Sequence, residues 1–355
     1  MHNIIVSVFC EIGATTPLNL LRITFPFLAR FSHMNPPTPF TTQWLSQLDE
    51  LAERVGHTPL VPITRAWQGS GVQLYAKLEW QQLAGSVKTR PAFRMIRDAI
   101  ETGRLRPGMH LFDSTSGNTG ISYAAIGAYL GIPVTIVMPA DASQERKTIM
   151  RAMGAELLLT DSQLTSDEVF QYAQDLAAQH PDRYCYLNQY DNEANWRAHY
   201  ETTAGEIYQQ TEGRITHFVC GLGTCGTFTG TGRRLKVWNQ AIQLIALHPD
   251  QADHAIEGWK HLDTSRHPRI FDAQLADQHL RISTAEAKHW MQHVARTEGW
   301  LLSPSSAAAL AGAARLADTL ETGHVVAMLP DDAAKYGAMW QQLTGAEGDA
   351  LGRTT

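Results

Sequence analysis

Val72-Gln73-Leu74-Tyr75-Ala76-Lys77-Leu78-Glu79 reads as a strand, Gly85-Ser86-Val87-Lys88-Thr89-Arg90 as a glycine turn carrying a lysine, and Pro91 to Ile100 as a helix. The succession is strand, turn, helix, the opening of an α/β unit. A lysine just after a glycine turn, at the mouth of a helix, is placed to be drawn partly out of water. A desolvated lysine has a lowered pKa and becomes an amine nucleophile or a Schiff-base partner. Taken alone, Lys88 reads first as a solvated surface lysine, as most lysines in such a position are, and any chemical meaning has to come from the rest of the chain.

Outward from this stretch the same alternation continues. Upstream, Phe40 to Val55 predicts a helix with Trp44, Leu45, Leu48 and Leu51 along one side and Thr41 or Thr42 as its cap; a turn at Gly56-His57-Thr58-Pro59-Leu60 then leads into a short strand, Val61-Pro62-Ile63. Downstream, strands are expected at Met109–Asp113, Pro133–Met138, Glu156–Thr160, Tyr184–Asn188, Ile215–Cys220, Ala241–Leu247 and His324–Leu329. Helices are expected at Gly120–Leu130, Ser143–Met153, Ser166–His180, Thr229–Trp238, Thr284–Glu298 and Ala307–Leu320. Strands separated by helices of this length mean βαβ units, hence an α/β fold of largely parallel sheets covered by helices on both faces. Ligands in such folds sit outside the carboxyl ends of the strands, where loops enter helices. The stretch Asp250 to Leu275 has no clear periodicity, and long loops of that kind are either plain connections or the seat of lids and substrate contacts.

Composition narrows the function classes. The 355 residues are 44% apolar and 18% charged, enough for a sizeable core, and the net charge of −6 with no dense Lys/Arg cluster argues against a nucleic-acid surface. Cys10, Cys185, Cys220 and Cys225 are too scattered for a disulfide framework or a zinc site, which fits a reducing cytoplasm, and the fifteen histidines carry no metal-site spacing. No apolar run is long enough to span a membrane. Residues 1–33 hold a single acid, Glu11, and apolar patches without the charge pattern of a signal peptide. The preferred reading takes Met34 as the natural start, with what precedes it an over-extended gene model or a disordered arm.

Three loops at strand-to-helix junctions carry candidate chemistry. Ser114-Thr115-Ser116-Gly117-Asn118-Thr119-Gly120 offers small hydroxyl and amide side chains with free helix N–H groups, suited to a carboxylate or phosphate; capping alone accounts for part of it. Gly221-Leu222-Gly223-Thr224-Cys225-Gly226-Thr227 could cradle a phosphate on backbone amides, although it matches neither a Walker loop nor a dinucleotide fingerprint. Ser303-Pro304-Ser305-Ser306 leads into an alanine-rich helix and reads by itself as a cap on a tightly packed helix.

In this order on an α/β chain, these motifs resemble one family: the pyridoxal-phosphate enzymes of the tryptophan-synthase-β-like fold (fold type II), in the cysteine synthase and cystathionine β-synthase branch. The resemblance runs from about Gly56 to about Leu329. It rests on Gly56 to Leu60, Gly85 to Lys88, Thr115 to Gly120, Gly223 to Thr227 and Ser305-Ser306, and the run Gly213 to Val219 is most like the B-type cysteine synthases. The resemblance implies pyridoxal 5′-phosphate as cofactor, held as an imine by Lys88, which then acts as general base. It implies that Gly223, Thr224, Cys225, Gly226 and Thr227 bind the phosphate, Asn118 meets the ring hydroxyl and Ser305 faces the pyridine nitrogen. Thr115, Ser116, Gly117, Thr119 and Gln189 would take the substrate carboxylate. A serine at the pyridine nitrogen makes a weaker electron sink than an aspartate, which suits β-replacement. The implied reaction forms L-cysteine from O-acetylserine and sulfide or a related thiol through a bound aminoacrylate, without metal, nucleic acid or membrane, in a cytoplasmic homodimer. It also implies two domains, residues 40–80 with 193–343 as the larger and 81–192 as the smaller, flanked by an extension (1–39) and a tail (344–355).

Several positions depart from the family's pattern. Cys225 stands where glycine or a small hydroxyl residue is usual, Ala204-Gly205 replaces Gly-Pro, and Ala307-Ala308 replaces glycine in a way that would crowd the cofactor ring. Asp331-Asp332-Ala333-Ala334-Lys335-Tyr336 ends in Lys-Tyr rather than Arg-Tyr. A cystathionine β-synthase-like reaction or an O-phosphoserine donor are the alternatives, the latter wanting an extra cation, for which Arg90, Lys260 and Arg266 are candidates. A paralogue that binds cofactor without turning over is a further one.

Overall fold

The computed structural model describes residues 39–345; the expected arm before Pro39 and the tail from 346 onward lie outside the described residues. The strands are β1 (Leu60–Pro62), β2 (Val72–Leu78), β3 (His110–Ser114), β4 (Val134–Pro139), β5 (Glu156–Thr160), β6 (Tyr184–Tyr186), β7 (His217–Gly221), β8 (Gln243–Pro249), β9 (Gln278–Ile282) and β10 (Gly323–Leu329). The helices are α1 (Pro39–Ala52), α2 (Thr89–Glu101), α3 (Asn118–Leu130), α4 (Gln144–Ala152), α5 (Ser166–Gln179), α6 (Glu193–Ala198), α7 (Ala204–Gln210), α8 (Gly226–Trp238), α9 (Thr284–Thr297), α10 (Pro304–Ala317) and α11 (Gly337–Thr344).

Two sheets result. One has six strands in the order β1-β2-β10-β7-β8-β9, the other four in the order β5-β4-β3-β6. Only β1 pairs antiparallel, with β2; the other pairings are parallel. The apolar runs of β3, β4, β7 and β10 are buried because helices cover both sheet faces, as the sequence pattern predicts. The last strand, β10, inserts beside β2 in full register from Gly323 opposite Val72 to Leu329 opposite Leu78. That insertion brings Pro330 O within 2.8 Å of Val87 N and so fixes the lysine turn against the end of the large sheet.

Sequence periodicity finds the long elements and loses the atypical ones. Helices α6 and α7, with a π-helical turn between them at His199–Thr203, went unpredicted, as did edge strand β9 and α11. Helix α10 begins at Pro304 rather than Ala307: Ser303 accepts from Ser306 N at 3.1 Å and proline takes the first turn, where no N–H is needed. Its alanines are small because the whole helix is buried. Ala307 and Ala308 both have zero exposure within the large-sheet core, and neither is among the residues that line the cavity described below.

Candidate active site

A cavity of about 290 Å³ opens at the carboxyl ends of the strands, and residues from both sheets line it. It gathers Lys88, Thr115, Ser116, Gly117, Asn118, Thr119, Gln189, Gly223, Thr224, Cys225, Thr227 and Ser305, which lie far apart in sequence. Of the expected site residues only Gly226 is not on its wall. Gly226 sits directly behind it, where a Cβ would come within 2.0 Å of Asn195 Oδ1.

Lys88 stands at the N-cap of α2, half-buried, with its amine donating to no described acceptor. Burial pushes its pKa below the ordinary lysine value, against the smaller pull of the Asp331 and Glu79 carboxylates. Asp331, which is fully buried, accepts hydrogen bonds from Asn118 Nδ2 at 2.8 Å and Tyr336 OH at 2.9 Å, and Ser305 Oγ lies 3.5 Å from its other oxygen. One N–H and the Oδ1 of Asn118 remain for a ligand, the latter buried without a partner.

The glycine loop is built for close approach. Helix α8 starts without a side-chain cap, its N-cap Cys225 in the left-handed region at φ 69°, a conformation that favours glycine. A Cβ on Gly223 would stand 2.1 Å from Gly258 O. The N–H groups of Gly223, Thr224 and Cys225 meet no acceptor among the described residues, which leaves them with the uncapped helix end for an anion. Burial pushes the Cys220 thiol up to about 12 and the Cys225 thiol higher still, so both stay protonated and inert.

On the opposite wall, Thr119 Oγ1 donates to Gln189 Oε1 at 2.7 Å, and Gln189 N and Nε2 donate to Asp113 Oδ2 and Ser114 O at 3.1 Å each. Burial raises the Asp113 carboxyl to about 7, although Tyr123 OH and two backbone N–H groups donate to it. Asn195, on the unpredicted α6, ties this wall to the glycine loop by donating to Gln189 O at 2.6 Å and Thr224 Oγ1 at 3.2 Å.

Asp331 stands in the sequence reading only as part of the divergent segment 331–336, without a role of its own, and the sequence missed Asn195, Arg146 and Glu257. The last came closest to being found, because it lies in the aperiodic stretch 250–275. Of the three suggested cations, Lys260 lines the cavity but pairs with Asp167 at 3.0 Å. Arg90 is corrected: it is buried behind the site between Glu79 and Glu206. Arg266 is corrected too, since it is bound to Asp191 at 2.6 Å and is not on the cavity wall.

A family profile described as pyridoxal-phosphate dependent enzyme matches residues 51–331. The chain belongs to this family. It is 43% identical to the cysteine synthase of Aquifex aeolicus over 295 residues, covering 81% of this chain and 90% of that protein. To cysteine synthase B of Escherichia coli it is 40% identical over 291 residues, covering 81% and 94%. The crystal structure of O-acetyl serine sulfhydrylase isoform 3 from Entamoeba histolytica superposes with a TM-score of 0.76 at 31% identity, covering 86% of this chain and 92% of that one. The fold is therefore that of the type II pyridoxal-phosphate enzymes, and the cofactor is pyridoxal phosphate. The donor set fits that group: a desolvated amine, an amide with unmade hydrogen bonds, a buried hydroxyl and a row of unpaired N–H groups at a helix end.

Proposed function

We propose that the chain forms L-cysteine from O-acetylserine and sulfide or a related thiol by β-replacement. The observation that carries this reading is the desolvated, unpartnered amine of Lys88 facing a small-hydroxyl loop and an uncapped helix end across one cavity. When bound, pyridoxal phosphate supplies the electron sink that acidifies the α-proton of an amino acid and lets its β-substituent leave. Lys88 would hold the cofactor, and its freed Nζ would accept the α-proton of the bound amino acid. The backbone N–H groups of Gly223 to Thr227 and the hydroxyls of Thr224 and Thr227 hold the phosphate. Asn118, oriented by Asp331, would hold the ring hydroxyl, and Ser305 would stand at the ring nitrogen. Thr115, Ser116, Gly117, Thr119 and Gln189 bind the substrate carboxylate and so point the α-proton at Lys88. In the net exchange the Cβ–O bond breaks with its electron pair leaving on acetate. The Cβ–S bond forms with the pair of the incoming hydrosulfide, and the proton held by Lys88 returns to Cα.

Residues 40–80 with 193–343 and residues 81–192 form the two domains in this proposal, each organised by one of the sheets. The proposal also places the enzyme as a homodimer in a reducing cytoplasm, in keeping with three free, buried cysteines among the described residues and no helix there long and apolar enough to cross a membrane. The test is Lys88→Ala in the cofactor-loaded protein. Cysteine formation from O-acetylserine and sulfide falls by at least about a thousandfold, as when an activated nucleophile and general base is removed. Turnover within tenfold of the parent would overturn the assignment.

A further inference from the structure

We propose that Glu257 sets the choice of donor by masking Arg146, which suits the cavity to an uncharged acetyl ester and turns away a phosphate ester. The inference rests on the β-replacement reading and names its substrate class. Arg146 enters the cavity wall from α4, with only 6% of its side chain exposed. Its Nη1 is 3.9 Å from where a Cβ on Gly117 would stand, so the guanidinium lies directly over the loop assigned to the substrate carboxylate. Tyr336 stacks beneath it, 4.8 Å from ring centre to Cζ.

Nη1 pairs with the Glu257 carboxylate, whereas Nε is buried and bonded to nothing among the described residues. A guanidinium held in this way has donors to spare for a second anion of planar or tetrahedral shape. What occupies its open side is Glu257, which reaches across from the loop between β8 and β9 and keeps 44% of its side chain exposed. Lys260, the other cation on that rim, is committed to Asp167 at 3.0 Å and lies 5.2 Å over the Tyr190 ring. Apart from Lys88, each cation lining the cavity thus already has its own carboxylate.

A phosphate ester brings about one and a half to two negative charges at neutral pH. At this rim it would meet the Glu257 carboxylate before it met an uncommitted cation. An acetyl ester brings no charge and pays no such repulsion. Neutralising Glu257 frees Arg146 without touching the groups assigned to cofactor or substrate carboxylate.

The experiment uses the cofactor-loaded enzyme and compares kcat/KM for O-phosphoserine and O-acetylserine, each with sulfide, in the parent, Glu257→Gln and Glu257→Gln/Arg146→Gln. In Glu257→Gln the ratio of phosphate to acetyl donor rises by roughly ten- to a hundredfold, the range for one charge-assisted hydrogen bond gained. The double variant returns the ratio to near the parent's, because Arg146 is the group unmasked. Calorimetric titration of the same proteins with inorganic phosphate shows tighter binding to Glu257→Gln alone, independently of turnover. An unchanged ratio and unchanged phosphate affinity in Glu257→Gln would overturn the proposal, as would a rise that persists in the double variant. Should Arg146→Gln fail to fold, the phosphate titration of Glu257→Gln decides by itself. A parent enzyme that turns over neither donor contradicts the β-replacement reading instead, and the titration still reports on Glu257.

Discussion

Exchanging Glu206 for Gln removes one of two carboxylates from a buried cluster of four charges behind Lys88. Glu206 Oε1 lies 2.5 Å from Arg90 Nη1 and Oε2 lies 2.7 Å from Lys77 Nζ, while Glu79 holds the other edge of Arg90 at 2.7 Å. Lys77 and Glu79 have no exposure and Arg90 has 2%. Burial alone would raise the Glu206 carboxyl, but Arg90 and Lys77 outweigh it and hold the group at about 2. A fall from 4.5 to about 2 corresponds to about 3 kcal/mol. Removing one partner of a buried pair costs about 3–5 kcal/mol by a separate route, because an uncompensated charge stays behind. For the Lys77 amine, burial outweighs its carboxylate neighbours and lowers its pKa, so losing its proton in the variant softens the loss and favours the smaller figure.

A carboxamide at 206 can still accept from one cation, but its amino group then faces the other. Urea unfolding at neutral pH is therefore expected to show Glu206→Gln about 3 kcal/mol less stable than the parent. Because the folded pKa is depressed, this contribution is fully present above pH 4.5 and is lost as pH falls toward 2. The gap between parent and variant should accordingly close over that interval. A loss below about 1 kcal/mol at neutral pH, the size of a surface pair, would refute the reasoning, and so would a gap that stays the same in acid.

Gly223→Ala places a methyl carbon 2.1 Å from Gly258 O, a backbone atom that can yield only by moving its loop. Cofactor affinity measured by equilibrium titration should fall by at least tenfold, the fold itself being kept; unaltered affinity would show that the loop does not hold the phosphate. Asp331→Ala leaves Asn118 Nδ2 and Tyr336 OH without their acceptor. Two donors stranded in this way, one buried and one half-buried, cost about 2–4 kcal/mol together, measurable as a lower urea midpoint, and a midpoint equal to the parent's would contradict the network described.

Much of this architecture is legible in the residues because the physics is local. The β3, β4, β7 and β10 segments are apolar runs that only a sheet covered on both faces can hide, and the 114–120 and 221–227 loops announce themselves by small residues at helix entrances. What escaped detection is what depends on partners distant in sequence. Edge strand Gln278-His279-Leu280-Arg281-Ile282 is largely exposed and looks polar until β8 is set beside it. Helices α6 and α7 are short, broken by the π turn around the buried His199.

The same division runs through the site. Lys88 and the glycine loop carry motifs, whereas Asp331, Asn195, Arg146 and Glu257 matter only through neighbours in space. Arg90 shows the converse: two residues from Lys88 and charged, it looked like a substrate cation. In the fold its side chain turns away from the cavity into the ion cluster, because Glu79 and Glu206 meet there.

The most direct test of the account is to supply the purified, cofactor-loaded protein with O-acetylserine and sulfide and to quantify acetate and cysteine in the same sample. One cysteine for each acetate, both lost in Lys88→Ala, is the predicted result. Acetate released without cysteine, with pyruvate and ammonia in its place, or no acetate at all, would contradict it.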